Sequence, residues 1–273
     1  MEQADIARNH PWSLLIEFDG RQLAFRTNVY NAYEHVTETF QHMLADERTE
    51  SAGELAIFET AKGYSLESAT SLEYSGTPLE ELIPLVKDEV RLQFMRGRPD
   101  LLWLHAGVVE RDGGALLLSG TSGQGKSTLT TYLCQHGWRY MSDDVAPLRM
   151  DVNVVLPFPQ SPVRRLHPGR EVSRDELGTL ERETVAVTSV QICHEPTEIR
   201  GIVFIAYAKG RKAELVRLEQ GSGAMELLRN ATNFFDHKAS AVAKAAELGR
   251  RIPMYSLDYG IPGPAAELLN GLW

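Results

Sequence analysis

Cysteine is nearly missing from this chain: Cys134 and Cys193 are the only two among 273 residues. They leave no disulfide framework and show no metal-ligand spacing, so both read as reduced packing residues. Basic charge is also short. Against 37 Asp and Glu stand 28 Lys and Arg, giving a formal charge of −9. That balance removes any general attraction to nucleic acid or to an anionic membrane surface, and neither is expected as a partner. Long apolar runs are lacking as well. No stretch approaches the roughly 18 residues of a membrane-crossing helix. The opening MEQADIARNHPW does not show the basic and then apolar order of an export signal. A cytoplasmic location is the expectation. No internal repeat and no low-complexity segment interrupts the chain.

What the chain does hold is enough apolar residue, 43%, to bury a substantial core as one large or two smaller domains. WSLLIEFDGRQLAFRT has two apolar runs around Asp19-Gly20, a hairpin signal because both turn residues tolerate positive φ. Val29, Tyr33, Val36, Phe40 and Leu44 then recur at helical spacing. GELAIFET and GYSLESATSLEYSG read as strands, and PLEELIPLVKDEVRLQFMRG as a helix opened by Pro78. The segment RGRPD is the best linker. Residues 1–100 are therefore expected to form an N-terminal α+β module, with a role in substrate or partner recognition, ahead of a second domain over 101–273.

In the second half LLWLHAGVVE reads as one strand, RDGG as a turn, ALLLSG as a buried strand and Lys126–His136 as a helix closed by Gly137. WRYMS is a strand ending at two aspartates. LPFPQSPVRRLHPGR, with four prolines, is expected to lack regular structure. IRGIVFIAYAKG, AELVRL and IPMYSLDYG read as strands, and MELLRN and NFFDHKASAVAKAAELGRR as helices.

GTSGQGKS, Gly120 to Ser127, fits G-x-x-x-x-G-K-[ST], the Walker A pattern, at every fixed position. It lies between an apolar strand and a helix, which its mechanics require. Gly120, Gly123 and Gly125 let the backbone close around phosphates with N–H groups inward, and the helix N-terminus adds partial positive charge. Ser122, Gln124 and Thr128 complete the expected nucleotide contacts. Lys126 would reach the β- and γ-phosphates, and Ser127 would ligate Mg²⁺.

Asp143 and Asp144 supply carboxylates at the end of the next strand. One of them suffices to hold the metal. Neighbouring side chains on a strand point to opposite faces, so two functional aspartates require the chain to turn there. The second could then take a proton from an attacking hydroxyl. His105 would approach the same strand end if its strand pairs with the loop strand through the RDGG turn, and an imidazole beside a carboxylate can tune its protonation. Arg164, Arg165 and Arg170 are candidates for a phosphate or acidic-substrate clamp.

The run from His105 to Val145 resembles the catalytic core of HPr kinase/phosphorylase. It has a His-Gly strand, a hairpin, the phosphate-binding loop, a helix ending in Gly, and a strand running into Asp-Asp. The separations, fifteen residues from His105 to Gly120 and sixteen from Ser127 to Asp143, look like the family's. The resemblance implies an α/β fold of the kind shared with phosphoenolpyruvate carboxykinase, a mixed sheet around the loop. It implies Asp143 as base, His105 and Lys126 beside it, and Ser127 and Asp144 on the metal. Two departures bound it. Thr128 stands where the family has Glu, and EIRG at Glu198–Gly201 lies too far from Asp144 to be the family's later signature, so the reverse phosphorylase reaction is not expected. The chain looks more like divergent relatives associated with ribosomally made, modified peptides.

The function expected is ATP- and Mg²⁺-dependent transfer of the γ-phosphoryl group to a serine hydroxyl of a protein or precursor peptide. Two alternatives stay open: a nucleotide-dependent binding or switch module, and a small-molecule kinase. Since the family forms hexamers, a homo-oligomer stays open too.

Overall fold

In the computed structural model, which describes residues 11–47, 50–68, 74–165 and 182–273, Asp19 and Gly20 both take positive φ, 48° and 75°. That is the backbone a tight hairpin needs, and it joins β1 (Trp12–Phe18) to β2 (Arg21–Thr27). Next comes α1 (Tyr30–Phe40), which buries Ala32, Val36 and Phe40. The helix is shorter than the apolar spacing suggests. After Phe40 the chain tightens into a 3₁₀ turn (Gln41–Met43), and Leu44 turns extended to bridge Ile16 on β1. Pairing with an edge strand satisfies its backbone better than another helical turn would.

Strands β3 (Glu50–Thr60), β4 (Gly63–Ser68) and β5 (Tyr74–Thr77) complete a sheet in the order β1-β2-β3-β4-β5. The β2–β3 pair is parallel and needs a crossover, which α1 supplies. A second helix, α2 (Leu79–Gly97), follows Pro78, which keeps an extended backbone just outside it. It contains Pro84 and buries Leu82, Val86, Val90 and Phe94 at spacings of four. These elements form one compact unit, Met1–Pro99; Asp100–Trp273 forms another.

The second unit opens with β6 (Leu101–Leu104), β7 (Ala106–Arg111), β8 (Gly114–Ser119), α3 (Lys126–Gln135) and β9 (Arg139–Ser142). Then come β10 (Ala146–Arg149), β11 (Val154–Val155) and the short pair β12 (Val163–Arg165) and β13 (Arg182–Thr184). β14 (Thr197–Tyr207), β15 (Glu214–Arg217), α4 (Gln220–Arg229), α5 (Phe234–His237), α6 (Ala239–Arg251), β16 (Met254–Tyr259) and α7 (Pro262–Asn270) finish the chain.

Three expectations are corrected here. LLWLHAGVVE is two strands broken at His105, because β6 pairs with β10 whereas β7 pairs with β8 and β9. The Pro-rich segment contributes a strand after all, since Val163–Arg165 follows its third proline, Pro162, and finds a partner in β13. NFFDHKASAVAKAAELGRR is two helices, split where Lys238 takes φ 46°.

The large sheet is mixed. β8, β14 and β16 run parallel side by side, β7 is antiparallel to β8, and β9 is antiparallel to β7. Its central strands are apolar on both faces. Leu117, Ile202 and Phe204 meet Leu227, Ala241, Ala245 and Leu248 from α4 and α6. Leu116, Leu118, Val203 and Ile205 meet Leu129 and Leu133 of α3 and Ala266 and Leu269 of α7. The architecture is therefore α/β, a mixed sheet with helices on both sides and the Gly120–Ser127 loop leaving its central parallel strands. Among the described residues no helix is long and apolar enough to cross a membrane.

Candidate functional site

Strand direction brings the candidate residues to one edge. β7 is antiparallel to both β8 and β9, so it begins where they end: Ala106 pairs with Ser119, and Val108 with Ser142. His105 precedes β7, Gly120 follows β8 and Asp143 follows β9. Each of these two segments continues across a bend of its own, into β6 and β10, with Leu104 opposite Ala146. His105 is one bend and Asp143–Val145 the other. The Ser142 hydroxyl donates to the Val145 carbonyl and closes the second. A turn at the aspartates is what two acting carboxylates require.

The imidazole of His105 spans this junction. Its Nδ1 is 2.9 Å from the Asp144 carbonyl oxygen and 3.7 Å from the Asp144 carboxylate, and its Nε2 is 2.9 Å from Nζ of Lys126. Lys126 is buried, at 6% exposure, and also donates to the Gly120 and Thr121 carbonyls at 2.7 and 3.2 Å. Asp143 is 2% exposed, while the Asp144 side chain is 30% exposed. One carboxylate is thus enclosed and the other reachable from solvent.

The loop backbone has the form its glycines permit. Gly123 and Gly125 take φ 88° and 83°, left-handed values that an L side chain rarely adopts. Gly125 is the residue preceding α3, and a Cβ there would collide with the hydroxyl of Tyr259. That hydroxyl donates to the Gly125 carbonyl at 2.9 Å. Burial, and then the neighbouring Tyr207, push the Tyr259 phenol above its ordinary range, so it serves as a neutral donor. The Gln124 side chain accepts from the Tyr207 amide at 2.9 Å. Ser122, Gly123 and Thr128 are exposed, Ser127 is half-buried, and no acidic residue stands in the first turn of α3 to oppose an anion.

Beneath the aspartates, α3 approaches β7 closely. A Cβ on Gly107 would lie 2.5 Å from Thr130 Oγ1 and 3.5 Å from the Asp143 carbonyl oxygen. Cys134 lies on the same helix. Burial first, and then the Asp143 charge, push its thiol up to about 12. Cys193 is likewise free and buried.

The donors available for a divalent cation are the Ser127 hydroxyl and the Asp143 and Asp144 carboxylates. This all-oxygen set, with one carboxylate accessible to water, fits Mg²⁺, which prefers oxygen and keeps phosphate and water ligands. Arg164 and Arg165 belong to β12, but their side chains lie outside what the structure describes, and Arg170 lies outside the described residues.

Tyr207 and Tyr259 are the residues that motif reading passes over. No local pattern marks them. The usable signal is that ligands of open α/β sheets gather at the carboxyl ends of parallel strands, which singles out YAKG after β14 and DYG at the end of β16.

No family model matches the chain, and no curated protein matches it. Among solved structures it is similar to the HPr(Ser) kinase/phosphatase from Coxiella burnetii. The identity is 15% over 62% of this chain and 92% of that chain, with a TM-score of 0.32.

Proposed function

We propose that the unit Asp100–Trp273 is an ATP- and Mg²⁺-dependent kinase that transfers the γ-phosphoryl group to a serine hydroxyl of a protein or peptide. The observation that carries the reading is the linkage of the loop lysine to the aspartate turn through one imidazole: Lys126 Nζ to His105 Nε2, and His105 Nδ1 to the Asp144 carbonyl oxygen, each at 2.9 Å. One carboxylate beside the loop serves a bound metal; the buried second one, Asp143 at 2% exposure, is left to act on an acceptor hydroxyl.

In this reading the N–H groups of the loop hold the phosphates, and Lys126 exchanges the Gly120 and Thr121 carbonyls for phosphate oxygens. Asp143 orients the acceptor hydroxyl. As the bond from serine Oγ to the γ-phosphorus forms and the bridge to the β-phosphate breaks, the hydroxyl proton passes to the Asp143 carboxylate and ADP leaves. His105 holds Lys126 and the Asp144 backbone in register. Ser127 and Asp144 would hold Mg²⁺, which when bound neutralises phosphate charge. A ribosomally made precursor peptide is the acceptor class we favour, on the resemblance of the His105–Val145 run to kinase relatives of that kind.

The test is incubation with γ-labelled ATP, Mg²⁺ and the peptides and proteins encoded beside this chain, followed by locating the label. Transfer to serine is expected, and Asp143→Asn should lower kcat by about 10²–10⁴, the usual worth of a general base. Transfer by Asp143→Asn within about tenfold of wild type would remove the base role. Label on a metabolite would make the protein a small-molecule kinase. ATP hydrolysis with no labelled acceptor would make it a nucleotide switch.

A further inference from the structure

If the γ-phosphate faces Asp143, on the β7–β9 side of β8, then the nucleoside end leaves the loop on the opposite side. That side is formed by the carboxyl ends of β14 and β16, where Tyr207 and Tyr259 are paired in register. Tyr207 has the parity of Val203 and Ile205, which pack with α3, so its side chain is on the face of the sheet that carries the loop helix. It is 41% exposed. Its Cβ lies 3.5 Å from where a Gly125 Cβ would be, its amide is held by Gln124, and its ring meets Tyr259 edge-on, with centroids 5.6 Å apart at 68°. The backbone and Cβ of Tyr207 are thus held at the loop and its ring against Tyr259 of β16, while part of the side chain stays open.

The turn that follows is fixed as firmly. Ala208 N donates to the Tyr259 carbonyl at 2.9 Å, and Arg211 N to the Ala208 carbonyl at 3.0 Å. Arg211 pairs with Asp258 at 3.4 Å. Gly260 leaves no room for a side chain, since a Cβ there would lie 2.6 Å from Arg211 N and 2.7 Å from the Ala208 carbonyl oxygen. This turn presents Lys209 and Lys212 to solvent, and among the described residues neither has a carboxylate partner. An aromatic face beside a rigid basic turn, at the mouth of a phosphate-binding loop, matches a base followed by a polyphosphate.

We propose that Tyr207 is the platform on which the base of a nucleoside triphosphate stacks, with the Ala208–Lys212 turn as its basic flank. The direction of the nucleotide rests on the kinase reading above. The base is held by its π-face, so the site tolerates different bases more readily than one built from hydrogen bonds to a base edge.

Binding, measured without any acceptor, tests this. Wild-type protein with Mg²⁺ is titrated with ATP and with inorganic tripolyphosphate. Tyr207→Ala should weaken ATP by about five- to a hundredfold, the range for base–aromatic stacking, and leave tripolyphosphate within about twofold, while Tyr207→Phe keeps both. Tyr207→Trp should add fluorescence that ATP quenches and tripolyphosphate does not. Unchanged ATP affinity in Tyr207→Ala overturns the platform and leaves phosphoryl transfer standing. Equal loss of both ligands together with an unquenched Tyr207→Trp overturns it as well. Failure of the wild type to bind either ligand would overturn both proposals.

Discussion

Nζ of Lys126 and Nε2 of His105 lie 2.9 Å apart, joining the first residue of a helix to the break between two strands. The ring's other nitrogen faces the Asp144 carbonyl at 2.9 Å, and a carbonyl can only accept. Nδ1 therefore carries the hydrogen, and Nε2 offers its lone pair to the ammonium. A neutral imidazole in this one tautomer joins lysine to aspartate turn. A side chain with a donor and an acceptor can imitate it; an aliphatic one cannot.

His105→Ala should accordingly lower kcat for phosphoryl transfer by about 10- to 100-fold, as loss of a supporting hydrogen-bond partner commonly does. KM for ATP should move less, and His105→Gln should recover part of the loss. Steady-state kinetics on the three proteins reads this. A raised KM with unchanged kcat would show that His105 serves only to bind nucleotide.

Gly125 and Tyr259 make a second test. An alanine at position 125 meets a left-handed φ of 83°, worth about 1–2 kcal/mol, and also the Tyr259 hydroxyl. Gly125→Ala should lower the melting temperature and abolish ATP binding. Adding Tyr259→Phe removes the collision but not the backbone cost, so the double variant should recover stability only in part. Thermal unfolding of the two single variants and the double checks this; full recovery would mean that φ carries no cost there.

In the first unit, burial is the largest influence on His35 and holds its imidazole below the ordinary value of 6.5, with Glu38 opposing and Lys87 adding to the shift. As pH falls through that value the unfolded chain takes up the proton first. Stability is therefore full above it and declines below. Amides of Tyr30–Phe40 should exchange faster at about pH 5.5 than at about pH 7.5 after correction for intrinsic rates, and His35→Gln should flatten that trend.

The Cys134 thiol shifts the other way. Its ordinary value of 9.0 rises to about 12, so on alkalinisation the unfolded thiol ionises first and stability falls across that window. Cys134→Ala should show a shallower alkaline decline than wild type. Native protein should react with a thiol reagent at neither cysteine, and unfolded protein at both.

The strand–loop–helix order around Gly120–Ser127 was legible because its chemistry needs contiguous residues: three glycines, a lysine and a serine at fixed offsets. The hairpin at Asp19-Gly20 was legible for the same reason, since two positive-φ residues suffice to make it. The break at His105 was not. LLWLHAGVV is apolar on both sides of the histidine, and only the change of partner from β10 to β8 and β9 divides it. The Lys238 bend was hidden because no Gly or Pro marks it.

Local chemistry thus settled where a phosphate-binding loop can form and which carboxylates follow it, because turn glycines, helix starts and strand ends are decided by neighbours in the chain. Tertiary structure decided that His105 lies between Lys126 and Asp144, and that Tyr259 and Tyr207 brace the loop from strands more than eighty residues away. Those contacts depend on the lateral order β16-β14-β8-β7-β9. Strand order minimises the free energy of two buried faces at once, and no single segment of sequence contains that sum.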